Sequence, residues 1–132
     1  MDRQEMMRSQ DEQNCVLVIQ NLCEIVHEAN KKWWVDLQSG LPLKRNVPEM
    51  LMLIVSELAE AMEGHRKNLM DDKLPWRKMF EVEIVDALIR ILDLGEGLEL
   101  DLGGAFVEKM AYNAQREDHK LENRRAEGGK KY

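Results

Sequence analysis

From Phe80 to Leu92 the chain is apolar almost all round a helix. Phe80, Val82, Ile84, Val85, Leu88, Ile89, Ile91 and Leu92 leave few polar positions. At roughly 100° per residue three of them, Glu83, Asp86 and Arg90, share one side, while Glu81 reads as a solvated carboxylate. A helix of this kind is covered on most sides, and its charged groups must find partners inside the protein. The segment therefore demands a multi-helix architecture and predicts an oligomer, a homodimer or homotetramer. Val82 and Ile89 are the interface candidates, because they lie on its far side.

The rest of the chain supplies the partner helices. From Glu12 to about Leu37 the residues Cys15, Leu17, Val18, Leu22, Ile25, Val26 and Ala29 recur at helical spacing and end in Trp33 and Trp34. Ser39-Gly40-Leu41-Pro42 breaks that helix. A second helix is predicted from about Pro48 to about Asn68, with Pro48 in its first turn. Pro75 opens the third, which reaches about Leu94 and stops at Gly95 and Gly97. Asp101 is a good N-cap for a fourth helix through about Arg116. No stretch alternates as a strand, so the fold class is all-α, a four-helix bundle. Residues 1–116 read as one helical domain with 1–11 frayed, and residues 117–132, charged and Gly-containing, as a flexible tail.

A chain of 132 residues is long enough for one real core. Its net charge of −6 argues against wrapping a nucleic-acid backbone, which needs clustered Lys and Arg. No apolar run approaches the ~18 residues of a membrane span, and the polar N-terminus lacks the apolar core of a signal peptide. Cys15 and Cys23 lie about two turns apart on one helix, too far for a disulfide, and read as small buried residues in a reducing compartment. A cytoplasmic location is expected.

Two acidic motifs carry the chemistry. Glu57-Leu-Ala-Glu60 and Glu83-Ile-Val-Asp86 each project two carboxylates from one stripe of a helix. Such pairs are common on solvated helices, but here both lie in strongly apolar surroundings with the same spacing. If the two helices face each other, four carboxylates converge, which is unfavourable unless a cation neutralises them. Arg90 can pair with Asp86 at i, i+4, but one Arg cannot neutralise four acids. Oxygen-only ligands suit hard cations, so Mg²⁺, or Mn²⁺, is the expected metal on Glu57, Glu60, Glu83 and Asp86. Glu24-Ile-Val-His27 is a single Glu-x-x-His, and a di-iron bundle needs that motif on two helices, which argues against one.

Lys109, Asn113 and Arg116 lie near one face of the last helix. Two cations and an amide suit polyphosphate oxygens, and a solvated basic face fits the same spacing. Trp33 and Trp34 point in different directions, so one packs in the bundle and the other is free to stack on a planar ligand. Asn46, ahead of the second helix, reads first as an N-cap.

Together, ExxE, a gap of about 20 residues, ExxD and a downstream K-M-x-x-N-x-x-R resemble the all-α nucleoside triphosphate pyrophosphohydrolases. That group includes MazG, the dimeric dUTPases and the dCTP pyrophosphatases, and the chain is most similar to short, stand-alone MazG-like proteins such as those of phages. The resemblance implies Mg²⁺-dependent attack of water on the α-phosphorus of a (d)NTP, giving (d)NMP and pyrophosphate. It implies Glu57, Glu60, Glu83 and Asp86 as metal ligands, and one of these acids or Glu63 as the group that orients or deprotonates water. It further implies Lys109, Asn113 and Arg116 on the triphosphate, and Trp34 and Asn46 at the base. Many relatives carry a second Glu beside the first ligand, where this chain has Ser56. A purine deoxynucleotide such as dGTP is the expected substrate, in the host cytoplasm for a phage-encoded protein. The alternative, from another class, is a non-catalytic nucleotide-binding or assembly module with a structural metal.

Overall fold

The computed structural model describes residues 8–132. Among these the protein is all-helical: α1 (Gln10–Asn30), α2 (Val47–Arg66), α3 (Met79–Gly97), α4 (Leu102–Ala114) and α5 (Leu121–Arg125). Tight 3-10 turns occupy Lys31–Trp34 and Glu117–His119, the latter with α5 in the segment read from sequence as a tail. The fraying expected over 1–11 falls mostly outside the described residues. Among the described residues no helix is long and apolar enough to cross a membrane.

Capping chemistry sets the boundaries. Ser9 and Glu12 form a reciprocal capping box: Glu12 N donates to Ser9 Oγ at 3.2 Å and Ser9 N to Glu12 Oε1 at 3.1 Å. α1 ends at Asn30, short of the predicted Leu37. Asn30 Nδ2 turns back onto the Val26 carbonyl at 2.8 Å, and the chain tightens into the 3-10 turn that carries both tryptophans. Asn46 caps α2 by accepting from Glu49 N at 3.0 Å. α2 closes in a Schellman motif with Asn68 in the left-handed region (φ 51°). Leu69 N reaches the Gly64 carbonyl at 3.0 Å and Asn68 N the His65 carbonyl at 3.3 Å.

α3 begins at Met79, not at Pro75, because the preceding residues are tied into a closed connection. Met79 N bonds the Leu69 carbonyl at 3.0 Å and Asp71 N the Arg77 carbonyl at 2.9 Å. Asp71, only 5% exposed, accepts from Lys73 N and Leu74 N inside that turn. Nor do Gly95 and Gly97 stop α3; both lie within it. The left-handed residue that ends it is Glu99 (φ 57°), with Leu100 N on the Gly95 carbonyl at 2.8 Å and Glu99 N on that of Glu96 at 3.0 Å. Gly97 has a packing reason instead: a Cβ there would lie 2.3 Å from the Trp34 ring.

The chain forms two compact units. One comprises residues up to Gln20 with Asp101–Tyr132. In it the start of α1 meets α4: Val16 and Val107 are buried, Gly103 lies against the Val16 backbone, and Arg8 pairs with Glu108 at 3.8 Å. The other, Asn21–Leu100, is organised by α2 against α3. Gly64 meets Met79 and Glu57 meets Arg90, so the two helices run in opposite directions. Ile54, Ala61, Ala87 and Leu94 are buried in this unit, and the small side chains among them let the helix axes approach closely. Cys23 is buried as expected, whereas Cys15 is exposed, because the apolar faces of α1 are only partly covered.

Candidate functional site

The α2–α3 pairing brings the acids together. One carboxylate oxygen each from Glu57, Glu60 and Glu83 lies within 4.8 Å of the others. Glu57 and Glu60 come from successive turns of α2 and Glu83 from α3, as their i, i+3 spacing and the antiparallel pairing require. Glu83 is 8% exposed, and its buried Oε2 has no hydrogen-bond partner within the protein. Burial, reinforced by the neighbouring Glu57 and Glu60, pushes its carboxyl up to about 8. Asp86 stands outside this trio but within its field. Burial first, then the charges of Glu57 and Asp71, raise its carboxyl, while Arg90 opposes them.

Arg90 bonds across the pair to Glu57, Nε to Oε1 at 3.1 Å, and not simply along its own helix to Asp86. One guanidinium on one acid leaves the cluster with excess negative charge. The donor set is all carboxylate oxygen, it includes a buried oxygen without a donor, and it is pre-gathered from two rigid helices. These residues fit a hard divalent cation. Glu63 is not brought into the trio. Its carboxylate is held by Lys67 at 2.5 Å and Arg66 at 3.9 Å, and the Lys67 hydrogen bond keeps it below the usual carboxylate range, which makes it a weak base.

Beside the acids opens a cleft of about 500 Å³, walled in part by Glu57, Asp86, Arg90, Arg45, Trp33 and Asp93. The tryptophan on this wall is Trp33, 60% exposed, and not Trp34. Trp34 turns inward onto Gly97, and its Nε1 donates to both oxygens of Asp93 at 3.1 and 3.0 Å. His27 Nδ1 lies 2.8 Å from the same carboxylate. Arg45 ties the two tryptophans: it donates to the Trp33 carbonyl at 2.9 Å and its guanidinium stands 5.3 Å from the Trp34 ring centre. Asn46 is occupied as the N-cap of α2. Of the two interface candidates, Ile89 is 36% exposed and lines the cleft, and Val82 is half-buried.

Reading the sequence alone missed Arg45, Asp71 and Asp93. Asp93 was visible in principle, since the polar strip Glu83, Asp86 and Arg90 continues to it at a spacing of three. Arg45 and Asp71 sit in connections, where no periodicity marks a side chain's direction.

Lys109, Asn113 and Arg116 belong to the other compact unit. Lys109 Nζ stands 4.7 Å from the centre of the Tyr112 ring. Arg116 is bidentate on Asp118, Nε at 3.0 Å and Nη2 at 2.7 Å. Asn113 Oδ1 is buried without a protein donor. α4 ends at Ala114, short of the predicted Arg116, so it carries Lys109 over a ring and the Asn113 amide, while Arg116 lies beyond it, paired with Asp118.

Fold and site define an all-helical protein with a carboxylate cluster between two antiparallel helices. The chain matches no protein-family model, no curated protein and no solved structure.

Proposed function

We propose that the protein is a metal-dependent nucleoside triphosphate pyrophosphohydrolase, a helical bundle of the MazG-like kind, converting a (d)NTP to (d)NMP and pyrophosphate. The observation that carries this is the convergence of Glu57, Glu60 and Glu83 within 4.8 Å, with a buried oxygen of Glu83 lacking any donor. Those three, with Asp86 beside them, would hold Mg²⁺ or Mn²⁺. When bound, the cation supplies charge neutralisation at the phosphates and a more acidic water.

The chain's own groups do the rest. Arg90 and Arg45 line the cleft and offer the phosphate chain two planar, bidentate partners. Trp33 offers a face on which a base can stack. Asp86, its carboxyl raised by burial and then by Glu57, stands on the cleft wall, where a carboxylate can orient a water. Phosphoryl-type substitution needs such positioning and charge stabilisation more than a covalent nucleophile. The resemblance favours a purine deoxynucleotide such as dGTP.

The test is incubation with each common (d)NTP and Mg²⁺, with separate detection of pyrophosphate and orthophosphate. Pyrophosphate release from at least one nucleotide, abolished by EDTA, is expected. No release from any of them would overturn the proposal. Metal binding without turnover would give the cluster a structural role in a nucleotide-binding or assembly module.

A further inference from the structure

The polar strip of α3 does not stop at the acid cluster. Glu83, Asp86, Arg90 and Asp93 follow one another at spacings of three, four and three, so Asp93 lies ~10 Å along the helix from Asp86. It walls the same cleft, yet its side chain is only 14% exposed and it takes no part in the trio. Two donors from elsewhere in the chain share its carboxylate. His27 Nδ1, from α1, lies 2.8 Å from Oδ1, and Trp34 Nε1, from the 3-10 turn, donates at 3.1 and 3.0 Å. An ionised carboxylate only accepts, so this contact puts a proton on His27 Nδ1.

That sharing gives a reason for an acid at this position. A carboxylate can accept from an imidazole and an indole at once, whereas an amide would turn its NH₂ group toward one of them. Through Trp34 the hold extends to the cleft wall. The Trp34 ring is closed on one side by Gly97, where a Cβ would lie 2.3 Å away, and the Arg45 guanidinium stands 5.3 Å from its centre. Arg45 in turn donates to the Trp33 carbonyl at 2.9 Å, and Leu43 N to the Trp34 carbonyl at 2.9 Å. Trp33, 60% exposed on the cleft wall, is thus joined by one peptide bond to the residue whose side chain Asp93 fixes. A ring fixed before a ligand arrives loses less freedom on stacking, so this anchoring favours binding.

We infer that Asp93 is a positioning residue: it locks His27 and Trp34 together so that Trp33 is preset to stack on a planar ligand in the cleft. It acts on ligand binding and not on the metal or the chemical step. That the ligand is a nucleotide rests on the function proposed above; the ordering of Trp33 does not.

The experiment has two arms, both on the full chain. In the first, fluorotryptophan-labelled protein without ligand is followed by ¹⁹F NMR, with one resonance for each of the three tryptophans. Asp93→Asn is expected to shift the resonances of Trp34 and Trp33 and to leave that of Trp76, which is 72% exposed. His27→Leu, which removes one of the two donors, should shift the same two and serves if Asp93→Asn does not fold. An unmoved Trp33 resonance would overturn the inference. The second arm is a double-variant cycle of Asp93→Asn and Trp33→Ala, read as KM and kcat for pyrophosphate release from the best of the common (d)NTPs and as Mn²⁺ affinity. KM should rise at least fivefold in each single variant and no further in the double, with kcat and Mn²⁺ affinity within twofold of wild type. Effects on KM that multiply, or a loss carried by kcat or by Mn²⁺ binding, would overturn the inference. A wild type that releases no pyrophosphate would defeat the proposed function instead, and the ligand-free spectra would then decide the role of Asp93.

Discussion

Arg90 Nε donates to Glu57 Oε1 at 3.1 Å, so one clustered acid already has a cationic partner from the facing helix. A divalent cation at the trio competes with that guanidinium for Glu57. Arg90→Met removes the competitor. A partly exposed ion pair contributes up to ~1 kcal/mol, so Mn²⁺ affinity measured by calorimetry should tighten about two- to fivefold. Pyrophosphate release should fall in the same variant, because the cleft loses a phosphate partner. Weaker Mn²⁺ binding would instead show that Arg90 shapes the trio.

The pH dependence of the metal-free protein follows from Glu83. Its folded-state carboxyl lies at about 8, above the ordinary 4.5, so the folded state holds a proton that the unfolded chain releases. That stabilisation is fully present below about 4.5 and is lost as pH rises through about 8. The thermal midpoint in EDTA should therefore decline across this window, and Glu83→Gln should flatten the decline. Saturating Mg²⁺ should reverse the trend, since the cation needs the ionised carboxylates. A midpoint in EDTA that rises steadily from mildly acidic to mildly alkaline pH would contradict the assigned burial of Glu83.

Gly97 and Trp34 make a structural prediction. A methyl group at position 97 would lie 2.3 Å from the indole, so Gly97→Ala must push Trp34 off Asp93. Overpacking of this kind costs roughly 1–3 kcal/mol. A lower thermal midpoint and an altered near-ultraviolet tryptophan signal are expected together. An unchanged near-ultraviolet spectrum would mean that the ring does not occupy this position.

Much of this was legible in the amino-acid order. Helical periodicity located the four main helices, and Asp101, whose Oδ1 accepts from Gly104 N at 2.9 Å, was recognisable as a cap. Four converging acids were expected from i, i+3 spacing and an apolar context, and three of them, Glu57, Glu60 and Glu83, come within 4.8 Å while Asp86 stands outside. What escaped notice depends on three-dimensional approach. Gly97 reads as a helix stop until the Trp34 ring is seen against it. Glu99 takes the left-handed cap position that glycine was expected to hold, because main-chain hydrogen bonds at the helix end stabilise it there. Which of two adjacent tryptophans faces the cleft is set by the 3-10 turn at Lys31–Trp34, and no periodicity encodes that turn.

The most direct measurement is pyrophosphate release and Mn²⁺ binding, made side by side on the wild type and on Glu57→Gln, Glu60→Gln and Glu83→Gln. If these acids act as one metal centre, each variant should lose at least 100-fold in turnover, roughly 3 kcal/mol of transition-state stabilisation. Each should also bind Mn²⁺ more weakly and keep its helical circular dichroism. Wild-type levels of both activities in any of the three variants would contradict the assignment.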